Sequence, residues 1–462
     1  MRILLVVYDN DSYISWFPQG MAYIAAVLKK DGYDVEIYNQ DKFHYPDEHL
    51  TDYLSQNKFD IIGVSVIAGY YQYRKLLKIA GAINHAKNRP FFIIGGHGPS
   101  PEPKYFLRKT QADAIVIGEG ELTVVELLEA VANHRPLSRV KGIAFRDGAK
   151  VTVNERRPLI KDIDSVPFPA YDLFPIDYYR LLRAPNATKR DFVMPMLSGR
   201  GCKFRCNFCY RLDKGFRPRS NESIIEEVKL LKERYGITYI NFSDELLMSS
   251  EGRTVSLCND FIKANLDIKW CCNGRLNFAK PDVLALMKKA GCVFINYGIE
   301  SMDDQALKNM NKALTTKLII KGIEETLASG ISPGLNIIFG NIGENKETLQ
   351  KDVEFLLKYD DQAQMRTIRP VTPYPGSPLY YYAIEKGLLK DCEDFYENKH
   401  LNSDLLAVNF TDMSDEEFHR ALFEANSILI KNYFEKEHRS VIAQARKLYL
   451  DNNAAFRGFR QT

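Results

Sequence analysis

Apolar runs too continuous for half-exposed strands recur through residues 1–135: RILLVVY, DVEIYN, DIIGVSV, PFFIIGG and ADAIVIGEGE. A strand that is apolar along its whole length is buried on both faces, and that burial requires helices above and below its sheet. Amphipathic stretches supply them, among them Met21 to Lys30, Tyr73 to Lys87 and Leu122 to Ala132. Strand and helix therefore alternate. The expected fold is α/β, a doubly wound, Rossmann-like parallel sheet of about five strands, with ligands at the strands' carboxyl ends. Gly63, Gly69, Gly95, Gly96, Gly98, Gly118 and Gly120 stand at those ends. Each suits a tight strand-to-helix turn as well as a ligand contact.

Two alternating runs follow in VKGIAFRDGAKVTVNERRP, and Asp147-Gly148 between them is a hairpin signal. Five prolines from Pro158 to Pro185, without helical period, then mark a linker across residues 136–190. A second α/β series occupies residues 191–385: FVMPMLS, ITYINFSDE, IKWCCNGR, VFINYGIES, SPGLNIIFG and QMRTIRPVTPYPG, each separated by a helical stretch. About six such units suit a partial (β/α)6 barrel with its chemistry at the strand C-termini. Residues 386–462 read as a small helical region, where Ser414 and Glu417 form a capping box.

At 462 residues the chain has room for several cores. A net charge of +3 gives no broad basic field, which argues against nucleic acid. No stretch approaches the ~18 apolar residues of a membrane-spanning helix, and the N-terminus reads as a strand rather than a signal segment. A cytoplasmic monomer acting on a small molecule is expected. The eight cysteines are absent before Cys202 and clustered after it, a pattern that fits a metal or redox site better than a disulfide framework.

GRGCKFRCNFCY, directly after FVMPMLS, places Cys202, Cys206 and Cys209 at the mouth of the second series. Structural zinc needs four closed ligands, yet no Cys or His recurs at finger-like spacing beyond Cys209. Three thiolates on a 4Fe-4S cluster leave one iron open for a chelating ligand, and Lys203, Arg205 and Arg211 would offset the cluster's negative charge. The cluster is the better reading, with zinc as its rival.

The Cys-x3-Cys-x2-Cys spacing, with Phe208 before the last cysteine, resembles the signature of the radical S-adenosylmethionine (SAM) superfamily. The resemblance implies that SAM chelates the open iron and is cleaved to a 5′-deoxyadenosyl radical, with a flavodoxin or ferredoxin as electron donor. NFSDELL would bring Ser243 and Glu245 to the SAM amino group, CNGRLN would bring Asn273 and Arg275 to its carboxylate or ribose, and NYGIES would bring Glu300 to the ribose hydroxyls. GLNIIFGNIGENKET resembles the family's fifth-strand stretch, but Asn341 and Ile342 replace the usual proline after Gly340.

Together with PQGMAYIAAVL, GVSVIAG, IIGGHGPSPEP and VIGEGE in the first domain, residues 1 to 390 resemble the cobalamin-binding radical SAM proteins. That resemblance implies cobalamin against Ser65, Val66, Gly95, Gly96, Gly118 and Glu119. No Asp-x-His-x-x-Gly loop follows the first strand, so Tyr8, Asp9 or Asn10, rather than a histidine, would face the lower side of cobalt; His97 is expected near the nucleotide tail. The implied activity is C-methylation of an unactivated carbon in a small metabolite or natural-product intermediate. Oxidative cyclisation, ring formation or rearrangement with the same cofactors is the alternative. A methylthiotransferase would need cysteines upstream of Cys202, and a sensor would need no open iron. Tyr374, Tyr380 and Tyr381 are the candidates for lining a substrate pocket.

Overall fold

The computed structural model describes residues 1–9, 11, 16–148, 150–211, 215–453, 455 and 459. Asn10, among the residues expected to face cobalt, lies outside them. The first sheet has seven strands in the order β2-β1-β3-β4-β5-β6-β7. Strands β1 (Arg2–Val7), β2 (Asp34–Asn39), β3 (Ile61–Ser65), β4 (Phe91–Gly95) and β5 (Ala114–Val116) are parallel, as the continuous apolar runs require. The hairpin of β6 (Ile143–Asp147) and β7 (Lys150–Val153) adds antiparallel to β5. Expected within the linker, it instead extends the first sheet, whose unit runs to Val153.

The two faces of this sheet bury different cores. Alternate strand residues turn to opposite faces, so Leu4, Val6, Ile62, Val64 and Ile94 pack with helices 47–56, 70–85 and 103–110. The opposite face, with Ile3, Leu5 and Ile93, joins helices 19–30 and 121–132 in a core continuous with the second unit. The Pro-rich connector seals that junction. Tyr171, Phe174 and Tyr179 place their rings 5.3–5.4 Å from the ring of Phe17, which follows β1.

The second sheet has six parallel strands in the order β15-β14-β13-β12-β11-β8. They are β8 (Val193–Met196), β11 (Tyr239–Phe242), β12 (Lys269–Gly274), β13 (Cys292–Glu300), β14 (Ser332–Phe339) and β15 (Arg369–Pro370), an open half-barrel wrapped by helices. A two-stranded ribbon, β9 (Gly199–Arg200) with β10 (Arg217–Pro218), brackets the cysteine loop. Helix 415–449 starts at the expected capping box of Ser414 and Glu417 and packs Phe418 on Phe339, ring to ring at 5.0 Å. Among the described residues no helix is long and apolar enough to cross a membrane.

Candidate active site between two strand-end crevices

The cysteines and the strand-end residues Ser243, Glu245, Asn273, Arg275 and Glu300 stand at one rim, because in a parallel barrel all the strands deliver their carboxyl ends to the same side. Cys206 is buried, and Cys202 and Cys209 are half-buried. A hydrogen bond from Cys209, helped by the charges of Lys312 and Arg275, pulls the Cys206 thiol down to about 6. This shift favours the thiolate, the form in which cysteine ligates a metal.

Arg275 is 6% exposed. Its guanidinium lies 3.4 Å above the Phe204 ring and donates to Asn277 Oδ1 at 2.8 Å and to the Lys312 carbonyl. Glu300, expected at a ribose, accepts from Lys312 Nζ at 2.7 Å, with both side chains buried. Lys312 also stands 5.8 Å from the centre of the Phe208 ring. Glu300 occupies φ +72° next to a register shift in β13, and such backbone strain re-aims side chains at functional sites. Lys312 was not found from the sequence. It sits in an aperiodic turn, MNKAL, and only the partner it meets reveals it.

At the β11 end, Ser243 and Glu245 are exposed at the rim while Asp244 turns inward to Ser198, accepting from its N–H at 2.6 Å and from its hydroxyl. Burial pushes the Asp244 carboxyl up to about 6. Ser243 donates to Gln19 Oε1 of the first unit at 2.9 Å, and Glu245 accepts from Gly201 N at 3.1 Å. Asn273 heads a row of amides: its Nδ2 donates to Asp244 O at 2.7 Å, its Oδ1 accepts from Asn296 at 3.0 Å, and Asn336 donates to Asn296 at 2.7 Å. Asn296 and Asn336 were missed. Their signal is a polar residue at period two inside the apolar runs FINYG and GLNIIFG.

Glu344 and Asp352, behind the loop after β14, are 2% and 0% exposed. Glu344 Oε2 accepts from Gly340 N at 2.9 Å and Asn341 N at 2.8 Å, and Asp352 accepts from Met302 N. Burial pushes Glu344 up to about 7 and Asp352 well above the carboxylate range. From the ordinary 4.5 to about 7, then, the folded chain binds more protons than the unfolded chain, and stability falls as pH rises through that window. Glu344→Gln keeps the acceptor and supplies a permanent donor. It should melt higher than wild type at pH 8, by about 1–3 kcal/mol of stability, and differ little at pH 5. Equal gains at both pH values in thermal melts would contradict this linkage.

The first sheet's strand-end loops are laced to one another. Val66 N donates to Gly95 O at 3.0 Å and Gly98 N to Val66 O at 3.1 Å. Ser100, 2% exposed and missed in a Gly/Pro-rich stretch, donates to Gly96 O at 2.7 Å and accepts from Gly118 N at 3.3 Å. Gly96, at φ +100°, is demanded by the neighbouring loop: an added Cβ would stand 2.4 Å from Val66 O and 3.0 Å from Ser65 Oγ. Gly95 lacks that constraint, with nothing nearer than 3.9 Å. Trp16 and Ile67, in the loops after β1 and β3, and Tyr71, in the first turn of helix 70–85, are exposed. Large apolar side chains left open beside a strand-end crevice suit a broad, flat ligand such as a corrin.

The remaining expected residues already have partners or places in the fold. Asp9 is 6% exposed, and its carboxylate already accepts from Asp11 N at 2.8 Å and meets His44 Nδ1 at 2.7 Å. Tyr8 is kept a neutral phenol by burial. The Glu119 carboxylate accepts from Arg200 at 2.9 Å, Arg217 at 3.1 Å and Ile160 N at 2.8 Å; it clasps the first unit onto the ribbon that carries the cysteines. Glu121 completes the clasp on Arg200. Tyr380 is 1% exposed and belongs to the core on the far face of the first sheet. Tyr374 packs in the same region, 5.3 Å from the His400 ring. Tyr381 is exposed. His97 is exposed, 6.4 Å from Tyr210, the residue after Cys209.

Comparisons agree with this division. Residues 6–128 match the B12 binding domain, and residues 196–356 match the radical SAM superfamily. An uncharacterized methyltransferase of Pyrococcus horikoshii, PH0819, is 30% identical over 400 residues, covering 84% of each chain. The anaerobic magnesium-protoporphyrin IX monomethyl ester cyclase of Cereibacter sphaeroides is 28% identical over 386 residues, 79% of this chain and 60% of that one. The solved structure of TsrM from Kitasatospora setae, a radical SAM methyltransferase with cobalamin and a [4Fe-4S] cluster bound, superposes with a TM-score of 0.75 at 17% identity, covering 92% and 89% of the two chains. A B12-type sheet clasped in front of a radical SAM half-barrel defines the class. The chain belongs to the cobalamin-binding radical SAM proteins, enzymes that use a 4Fe-4S cluster, SAM and cobalamin.

Proposed function

We propose that this enzyme is a C-methyltransferase acting on an unactivated carbon of a small metabolite or natural-product intermediate. One observation carries the reading. The Arg200–Glu119–Arg217 clasp, with Ser243 on Gln19, holds the B12-type strand ends against the cysteine loop, so one substrate can lie between both cofactors. Methyltransferase-named relatives support it, among them cytidylyl-2-hydroxyethylphosphonate methyltransferase of Streptomyces wedmorensis, 26% identical over 434 residues, covering 82% of this chain and 80% of that one. Kinship with the cyclase favours a second reading, oxidative cyclisation or rearrangement.

In this reading Cys202, Cys206 and Cys209 hold the cluster, and Arg275 and Lys312 offset its charge. Phe208, Ser243, Glu245, Asn273, Arg275 and Glu300 surround SAM. Cobalamin lies on the loops of Tyr8, Ser65, Val66, Gly95, Gly96 and Gly118, with the Asp9–His44 pair bracing the loop after β1. When bound, the cofactors supply a radical that removes a substrate hydrogen and a methyl group that takes its place. The protein's part is to fix both sites rigidly, with Glu300 holding Lys312 at the rim through their ion pair. An electron donor of flavodoxin or ferredoxin type and a cytoplasmic, monomeric state complete the proposal.

The test is anaerobic reconstitution with iron, sulfide and hydroxocobalamin, then methyl-13C SAM, a reductant and a small-molecule extract. Equal 5′-deoxyadenosine and S-adenosylhomocysteine with a labelled product is the expected outcome. Deoxyadenosine alone, with no label incorporated, would transfer the case to cyclisation or rearrangement.

A further inference from the structure

Asn207 lies between Cys206 and Cys209 and gives all its hydrogen-bonding groups to the barrel. Its N–H donates to Met310 O at 2.9 Å, and its carbonyl accepts from Leu379 N at 2.8 Å. Its side-chain amide donates to Asn309 O at 3.2 Å and to Asn341 Oδ1 at 3.1 Å. Asn341 returns the bond, Nδ2 to Asn207 Oδ1 at 3.0 Å, closing a reciprocal amide pair. Asn341 is fully buried, its own N–H is fixed on Glu344, and its Oδ1 also accepts from Ile342 N at 2.8 Å. This is the loop in which Asn341 and Ile342 stand in place of the proline usual in radical SAM sequences. A closed pair needs a donor and an acceptor on both partners, which Asn offers and Pro does not.

We infer that Asn341 is a positioning residue for the cysteine loop: through Asn207 it fixes the Cys206 and Cys209 sulfurs against the ends of β13 and β14. The structure links three facts to this role. Asn207 sits inside the ligand spacing itself, the pair is built on a fully buried side chain, and the neighbouring Asn311 and Asn309 amides donate to Arg205 O at 2.8 Å and Ile342 O at 2.9 Å, tying the same two loops. Breaking the pair leaves a buried amide half-satisfied and lets the loop leave the Arg275–Lys312 charges more often. Opening should rise about tenfold, equivalent to about 1.4 kcal/mol. The inference is independent of which bond the enzyme makes in its substrate, because its readouts lie on the cluster alone.

Asn341→Ala, Asn207→Ala and the double variant, reconstituted anaerobically, test it. Each single variant should keep wild-type circular dichroism and cobalamin uptake, lose its visible cluster absorbance in air about tenfold faster, and show an altered electron paramagnetic resonance spectrum when SAM is added to the reduced cluster. The double variant should lose the cluster no faster than either single one, since one interaction is removed. Wild-type lifetimes and spectra, or a double variant whose loss is the product of the singles, would overturn the inference. Should Asn341→Ala fail to fold, Asn207→Ala at its half-buried site decides: an unchanged lifetime and spectrum refutes the role.

Discussion

Cys206→Ser should reduce bound iron to background and bring SAM cleavage below detection, while the first domain still takes up cobalamin. Serine is close in size, so the loop can fold; the difference is charge. The Cys206 thiol is pulled down to about 6 by Cys209, Lys312 and Arg275, whereas an aliphatic hydroxyl stays protonated near neutral pH and is a poor ligand for iron. Arg275, 6% exposed, would then face a neutral group while Lys312 keeps its Glu300 partner, and uncompensated buried charge costs several kcal/mol. Cys392→Ser is the control, because Cys392 is buried in the far-face core of the first sheet, away from the rim. Full iron in Cys206→Ser, or equal loss in Cys392→Ser, would remove the assignment of the cluster to this loop.

What the sequence reveals here is what is local in the chain. The parallel strands announce themselves because burial on both faces leaves continuous apolar runs, and Asp147-Gly148 and Ser414–Glu417 announce a turn and a helix start within four residues. Where these pieces attach depends on distant partners. The hairpin could have stood alone, and only the pairing of Ala114 with Phe145 shows that it extends the first sheet. Glu119 reads as a ligand-crevice residue until Arg200, 81 positions away, takes its carboxylate. Lys312 and Ser100 lie in aperiodic loops whose purpose is set by the groups they touch, Glu300 in one case and Gly96 with Gly118 in the other. Tyr380 shows the converse: an aromatic in a Pro-rich stretch suggests a pocket wall, while its burial comes from packing against the first sheet.

The glycines also differ in what surrounds them, and Gly96→Val should abolish cobalamin binding at micromolar concentration while leaving the cluster's iron intact. Two costs coincide at this residue. Its φ of +100° is one that a β-branched side chain adopts only at about 1–3 kcal/mol. Its Cβ would stand 2.4 Å from Val66 O and 3.0 Å from Val66 N, backbone atoms that cannot swing aside as a side chain could. Moving them breaks the Val66–Gly95 and Gly98–Val66 hydrogen bonds and, through Ser100, loosens Gly118. The loops after β3, β4 and β5 would therefore shift together, and those are the loops proposed to hold the corrin and its tail. A combined loss of about 3 kcal/mol or more corresponds to at least about a hundredfold weaker binding. Gly118→Ala makes a graded comparison, since its φ of +83° is also left-handed but no atom lies within 4 Å of the added methyl; it should weaken binding far less. Cobalamin retention after gel filtration, read beside iron content, separates the outcomes: wild-type retention in Gly96→Val would show that the crevice between β3 and β4 does not hold the cofactor.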